Sequence, residues 1–448
     1  MSNKINYIIS ELKDQYLIDD NLRPWIIGFS GGKDSTALLQ LVWLAISEVP
    51  LEERKREVHV VCNDTLVENP VIQTYVYEVL KKIKEAAASM SMPIRVETTI
   101  PRLEDTFWVN VIGRGYPVPN NAFRWCTDKM KIKPTSRFLT DQVTENGEAI
   151  ILIGTRSSES TTRAKSIKKH EIRGKRLTKH PHNPNTYVYS PIKDLLLEEV
   201  WYIINAMTSP WGANNSELFQ IYMDASADDY ECPTIITDKS HRSCGQSRFG
   251  CWTCTVVKED KSLTSLVNKG LTWLAPLLKL RESMVEERNK SENRLPIRRN
   301  MKNAVNEDGD NLGTYDPEYR IKLLEQVLNS QRIIQKENPN IELITNQELV
   351  AIQVIWHRDA AYYNLKFSKT VSSIYNKIYD KEMEMEKHAE KIQREIDLLK
   401  SVCEDEPSDY ELINELLTLQ RNKALLNRKR GLKDDIERVI EKYLNRPA

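Results

Sequence analysis

The segment Ser30-Gly31-Gly32-Lys33-Asp34-Ser35 constrains the fold more than any other stretch, because of what flanks it. Trp25-Ile26-Ile27-Gly28-Phe29 reads as a short buried strand, and Thr36 to Ile46 carries Leu38, Leu39, Val42 and Ala45 at a helical period. Two glycines between strand and helix let the backbone turn tightly, so that successive N–H groups point at one anion. The helix that follows adds its positive N-terminal end. Ser30 and Ser35 offer hydroxyl donors and Lys33 a cation. An ordinary turn capped by Asp34 or Ser35 would need none of this. Ser, Lys and Asp at these spacings favour phosphate binding. The loop is not a Walker A motif, which has four residues between its first glycine and a Gly-Lys pair.

Further along, Val58–Cys62, Ile94–Thr99, Ala149–Gly154 and Tyr187–Ser190 read as strands, with helices from about Asn69 to Ser89 and Leu196 to Met207. This alternation predicts an α/β domain over residues 1–208: a Rossmann-like parallel sheet with helices on both faces. Ligands then belong at the carboxyl ends of the strands. Residues 209–290 break the pattern; up to Val257 they are rich in Cys, Ser, Asp and Gly, and from Leu263 they turn helical. Residues 291–448 begin with a polar loop from Glu292 to Leu312. They end in two apolar runs, Val371 to Leu399 and Leu416 to Tyr443, on either side of Pro407. The spacing predicts an antiparallel helical hairpin of coiled-coil character, more in keeping with a cap on the core than with a partner-docking arm.

With 64 Lys and Arg against 64 Asp and Glu, overall charge gives no argument for nucleic-acid binding; any such surface must be local. Met1 to Asp20 lacks the apolar stretch of a signal peptide, and no apolar run approaches membrane-spanning length, so a cytoplasmic location away from membranes is expected. The 7 cysteines are Cys62, Cys126, Cys232, Cys244, Cys251, Cys254 and Cys403. An odd number in a reducing compartment points to metal ligation or thiol chemistry rather than disulfides. Cys251-Trp252-Thr253-Cys254, with Cys244, Cys232 and the more distant Cys126, suits a structural zinc or an iron–sulfur cluster equally. A redox Cys-x-x-Cys is weakened by the lack of a thioredoxin-like context.

Several blocks together carry a family resemblance. They are the Ser30–Ser35 loop; Asn63-Asp64-Thr65 with Glu68-Asn69-Pro70; Thr106 to Asn110 with Gly113 to Pro117; and Phe123 to Asp128. Gly154-Thr155-Arg156, Glu159-Ser160, Arg163, Ser209 to Gly212 and Ser243 to Thr255 complete the set. Over roughly Ile5 to Leu278 the chain resembles the phosphoadenylylsulfate reductase-like branch of ATP pyrophosphatases, whose fold is that of the adenine nucleotide alpha hydrolases. Within that branch it resembles the DndC-type sulfurtransferases of DNA phosphorothioation. The resemblance implies a 4Fe–4S cluster on Cys126, Cys244, Cys251 and Cys254, with zinc as the alternative. Trp125 stands where related reductases often have a second cysteine, which leaves Cys232 as a substitute ligand or a sulfur-carrying thiol. Cys62 is expected in the core and Cys403 to be incidental.

The implied reaction binds Mg²⁺ and ATP, adenylates a DNA backbone oxygen and releases pyrophosphate. Ser30, Gly31, Gly32, Lys33, Asp34 and Ser35 would cradle the phosphates, with Asp64 and Gly154 also at the nucleotide. Lys33, Asp34, Ser35, Arg156 and Arg163 are the expected catalytic residues, Asp34 orienting the metal or the loop. Asp64 serves as well for a turn-forming residue. Sulfur would come from a cysteine desulfurase, on a persulfide or as sulfide on an iron; Cys126, beside Arg124 and Lys129, best fits a reactive thiolate. Arg156 to His180 is strongly basic and is the expected DNA-facing surface, a loop that orders on its partner. Other phosphorothioation proteins are the remaining expected partners. A sulfonucleotide reductase would need a mobile C-terminal cysteine, where only Cys403 is found. A transfer-RNA thiolase and a non-catalytic scaffold are the further alternatives, the scaffold disfavoured by the intact loop.

Overall fold

A computed structural model describes residues 2–18, 22–170, 175–181, 183–224, 250–299, 302–383, 397–403 and scattered positions from 409 to 443. The described elements begin with α1 (Ser2–Leu17), β1 (Trp25–Gly28), α2 (Lys33–Ser47), β2 (Val58–Asn63), α3 (Pro70–Ser89) and β3 (Ile94–Thr99). Next come α4 (Lys133–Asn146), β4 (Ala149–Leu152), α5 (Thr161–His170), β5 (Leu177–Lys179), β6 (Thr186–Tyr189), α6 (Leu197–Ala206) and α7 (Asn215–Asp224). A helical part follows: α8 (Lys261–Asn268), α9 (Ala275–Glu287), α10 (Pro317–Ile334), α11 (Asn346–Tyr363) and α12 (Val371–Tyr379).

The described strands form one sheet in the order β3-β2-β1-β4-β6-β5, parallel throughout except for the edge strand β5. Its strands alternate between two cores, as the period of two demands. Trp25, Ile27, Val60, Ile150 and Leu152 face a large core shared with α1, α2, α3 and α6. Ile26, Val61, Ile151 and Val188 face a smaller one under Phe138 and Leu139 of α4. Helix α2 is buried along nearly its whole length, so the loop before it is anchored by the centre of the domain. The chain leaves β1 toward β2 on one side, while β4 lies on the other. The β1–β4 boundary is therefore the point where the winding reverses and where a crevice opens at the strands' carboxyl ends. This is the Rossmann-like α/β architecture expected from the sequence.

Two compact units divide the chain, Met1–Tyr379 and Asp380–Ala448, so the composition changes near 208 and 290 fall inside the first. They do so because α10 and α11 are built onto the α/β part. The turn Val109–Gly113 is π-helical, and its closing carbonyls take donors from both helices. Arg320 Nε and Trp356 Nε1 donate to Ile112 O at 2.8 and 2.9 Å, and Arg320 Nη2 also donates to Gly113 O. Asp359 accepts from Arg320 at 3.2 Å and from Arg299 at 2.8 Å, completing a buried ion triad. Trp108 Nε1 reaches Leu343 O at 2.6 Å.

The hairpin expected from Val371 differs at its start. Val371–Tyr379 is the short helix α12, with Ile374 and Ile378 buried, and Arg332 and Gln331 of α10 bond to Ile378 O and the Tyr379 hydroxyl. Asp380, at φ 52°, ends it in the left-handed region. Most of the two apolar runs beyond this point lies outside the described residues. The basic stretch likewise has regular structure where a loop was expected: α5 and the edge strand β5, whose three residues are too few for alternation to reveal.

Candidate active site

Gly31 takes φ +75°, which swings the chain out of β1 and aims the following amides along the axis of α2. Gly32 is the N-cap of α2 and uses no side chain for it. Ser35 Oγ donates to Gly32 O at 2.9 Å and sits 3.3 Å from both the Ser30 amide and the Ser30 hydroxyl, so the two serines hold the loop closed on itself. Gly154, just past β4, packs against this turn. A Cβ there would stand 3.0 Å from Asp34 O and 3.1 Å from its carbonyl carbon. The glycine thus brings the end of β4 against the start of α2, which carries Arg156 to the loop.

Four buried charges then alternate in sign. Lys33 Nζ lies 3.1 Å from Asp34 Oδ2, Arg156 Nε donates to Asp34 Oδ1 at 2.6 Å, and Arg156 Nη2 lies 3.7 Å from Glu159 Oε1. Arg156 Nη1 also donates to Ser158 Oγ at 3.0 Å. Arg156 is 1% exposed and Lys33 is fully buried. Asp34 is therefore the anion that fixes two cations beside the loop, and a metal ion at its carboxylate would have to displace them. A further contact comes from α7: the Tyr222 hydroxyl accepts from the Lys33 amide at 3.2 Å, and the Lys33 ammonium sits 5.4 Å from the Tyr222 ring centroid.

Asp64 directly follows β2 at the same sheet edge. Its carboxylate accepts from Leu66 N at 2.7 Å and Gln73 Nε2 at 3.2 Å, and from the Tyr77 hydroxyl. The first bond is an Asx turn around Leu66, which has φ 65°. Burial, reinforced by the Asp64 carboxylate, raises the Tyr77 phenol well above its usual range, so it stays a donor.

The cysteine segment docks directly beyond this turn. Cys251 bridges Glu68 in backbone pairing, and Trp252 N donates to Val67 O at 3.0 Å. Cys251 Sγ lies 3.3 Å from Thr65 Oγ1 and 3.8 Å from Glu68 Oε1. Burial pushes the Cys251 thiol up, the Glu68 carboxylate adding to the effect and Lys131 opposing it. Trp125 and Trp252, the neighbours of Cys126 and Cys251, join one aromatic packing through Phe107 and Trp108. Trp125 stacks on Phe107 at 5.8 Å, Phe107 meets Trp108 at 4.9 Å, and Trp108 lies 6.0 Å from Trp252. Near Cys126, Lys129 is paired with Asp105 at 2.5 Å and Arg124 donates to Asn121 at 2.9 Å.

Ser30, Gly31, Gly32, Lys33, Asp34, Ser35, Gly154 and Arg156 thus come together at the start of α2, with Asp64 just past the adjoining strand. Arg163 lies on α5, and its side chain is outside the described residues, as are Cys244 and Cys232 altogether. Among the described residues, no three or more His, Cys, Asp or Glu side chains gather as a metal site. Lys165, Lys168, Lys169, Lys175 and Lys179 are exposed, while Arg176 is tied to Glu11 and Asp14 of α1. Tyr222 and Lys131 were not legible as site residues. An isolated aromatic on a helix and one lysine among many leave no local signal, and only the fold brings them in. No helix among the described residues is long and apolar enough to cross a membrane.

Residues 24–257 match the family described as phosphoadenosine phosphosulfate reductase domain. An uncharacterised protein of Methanocaldococcus jannaschii is 26% identical over 173 residues, 39% of this chain and 28% of that relative's own length. The phosphoadenylyl-sulfate reductase of Candida auris, solved as a phosphate complex, aligns over 48% of this chain and 90% of its own at 14% identity, with a TM-score of 0.28.

Proposed function

Since the chain belongs to the phosphoadenosine phosphosulfate reductase domain family, we propose that it is an ATP pyrophosphatase coupled to sulfur transfer, with the DNA backbone as acceptor. One observation carries the reading. The glycine loop with its buried Lys33 and Arg156, and the turn that receives Cys251, occupy the same edge of neighbouring parallel strands. A nucleotide activated at the loop and a sulfur held at a thiol would then face each other across β1 and β2.

In the proposed reaction the β and γ phosphates of ATP lie on the loop amides, with Lys33 turning from Asp34 toward them. An acceptor phosphodiester oxygen forms a bond to the α phosphorus as the bond from that phosphorus to the β-bridging oxygen breaks, and pyrophosphate leaves. A phosphodiester is already an anion at neutral pH, so this step needs no general base. The loop amides and Lys33 stabilise charge on the leaving pyrophosphate. Mg²⁺ would be held chiefly by phosphate oxygens and water, Asp34 being engaged with two cations. In the second step a thiol reductant, itself oxidised to a disulfide, frees the persulfide sulfur as hydrosulfide. This bonds to the DNA phosphorus as the bond to the oxygen shared with AMP breaks, AMP departs with that oxygen, and the sulfur's proton passes to water. Exposed lysines of α5 and β5 are suited to neighbouring DNA phosphates.

Cys126, Cys251 and Cys254, with Cys244, would hold a 4Fe–4S cluster. Thiolates are the soft donors such a group takes, although the described Cys126, Cys251 and Cys254 are not themselves gathered as a metal site. When bound, it would supply electron transfer or an iron for sulfide. The sulfur donor in this reading is a cysteine desulfurase.

The test is to incubate the protein with ATP, Mg²⁺, a cysteine desulfurase, L-cysteine, dithiothreitol as reductant and DNA, and to search the nuclease digest by mass spectrometry. Phosphorothioate dinucleotides that depend on ATP support the reading. The family match also favours a second reading, sulfonucleotide reduction. Release of sulfite from a sulfonucleotide in the presence of a thiol, with no thiolated DNA, would establish it instead. Against it stands Cys403, which is buried at 7% exposure.

A further inference from the structure

The Lys33 amide already has an acceptor. Lys33 is the first residue of α2, so its N–H belongs to the helix-end donors that have no partner within the helix. These are the groups that give such a loop its affinity for anions. The hydroxyl of Tyr222, 189 residues along the chain, accepts from it at 3.2 Å. The ring is buried and lies 5.4 Å from the Lys33 ammonium. Trp201 of α6 meets the Tyr222 ring edge-on at 5.1 Å and Phe219 of α7 at 5.4 Å. The hydroxyl is thus delivered to the loop by a separate helical layer and not by the strand–loop–helix unit itself.

We infer that Tyr222 is a positioning residue whose hydroxyl occupies the place of a phosphate oxygen on the Lys33 amide and is displaced when a phosphate chain enters. The inference rests on reading the Ser30–Ser35 loop as the triphosphate cradle. One hydroxyl bond is given up for each binding event, so phosphate affinity is held below what the loop alone would reach. The ring, carried on α7, transmits the displacement to Trp201.

The test uses magnesium pyrophosphate as the probe, with calorimetry on the wild type, Tyr222→Phe and Lys33→Ala. Tyr222→Phe keeps the ring over the ammonium and removes the hydroxyl that accepts from the Lys33 amide. It should tighten pyrophosphate binding by about two- to tenfold, the range of one neutral hydrogen bond. A merely structural tyrosine would leave affinity unchanged or weaken it, and either result overturns the inference. In 5-fluorotryptophan-labelled wild type, the ¹⁹F resonance of Trp201, assigned with Trp201→Phe, should shift on saturation with pyrophosphate; an unmoved resonance also overturns it. If Lys33→Ala abolishes binding while Tyr222→Phe binds as the wild type does, the loop reading stands and only the role of Tyr222 falls. If the wild type binds no pyrophosphate, both fall.

Discussion

Asp34→Asn removes the anion that holds two buried cations beside the loop. Asp34 accepts from Arg156 Nε at 2.6 Å and lies 3.1 Å from Lys33 Nζ, with Arg156 1% exposed. Removing one member of a buried pair leaves an uncompensated charge and costs about 3–5 kcal/mol. Glu159 still faces Arg156 at 3.7 Å, so the lower figure of about 3 kcal/mol applies. For a unit spanning Met1–Tyr379, an unfolding entropy of about 2.1 cal/mol/K per residue turns this into a fall in Tm of about 4 °C. Differential scanning calorimetry on Asp34→Asn, Arg156→Met and the double variant reads the coupling directly. The double variant should be more stable than the sum of the single losses by about 2 kcal/mol, because the Asp34–Arg156 pair is then removed as a unit. A fall of less than about 1 °C in Asp34→Asn, or strict additivity, would refute the claim that Asp34 is the keystone of this charge chain.

Other consequences are as specific. Gly154→Ala should destabilise by about 1–3 kcal/mol and weaken pyrophosphate binding, since its Cβ would meet Asp34 O at 3.0 Å; thermal melting with and without pyrophosphate checks both. Asp359→Asn, which strands Arg320 and Arg299 against α10 and α11, should cost about 3–5 kcal/mol by urea denaturation, and Arg320→Met in the same chain should recover part of it. Cys251→Ser should remove most bound iron and sulfide and the visible absorption of anaerobically purified protein, whereas Lys33→Ala should keep them. A colourless wild type loaded with zinc would contradict the cluster.

How legible the site was depended on how local its determinants are. The strand, the two glycines and α2 are consecutive in sequence, so periodicity and turn chemistry reveal the loop. The strands β1, β2 and β4 at the centre of the sheet carry largely apolar runs, so the sheet was legible too. Lys33 and Arg156 were found as cations, but their pairing through Asp34 requires β4 to lie beside β1, a fact of topology. The π-helical turns at Val109–Gly113 and Thr127–Ile132 were not legible, because their widened geometry is stabilised by donors far along the chain, Arg320 and Trp356 in the first case. Tyr222 reaches the loop from α7, a helix whose own pattern gives no hint of it. For the same reason α10 and α11 read as a separate helical region, although the carbonyls they satisfy belong to the α/β part.

The most direct measurement is the identity of the products when ATP is turned over with Mg²⁺, DNA and the sulfur-donating system. Separation by anion exchange should give AMP and pyrophosphate in equal amounts, and Lys33→Ala should give neither. ADP and phosphate as products, or unchanged turnover in Lys33→Ala, would contradict the assignment of the Ser30–Ser35 loop as the site of cleavage between the α and β phosphates.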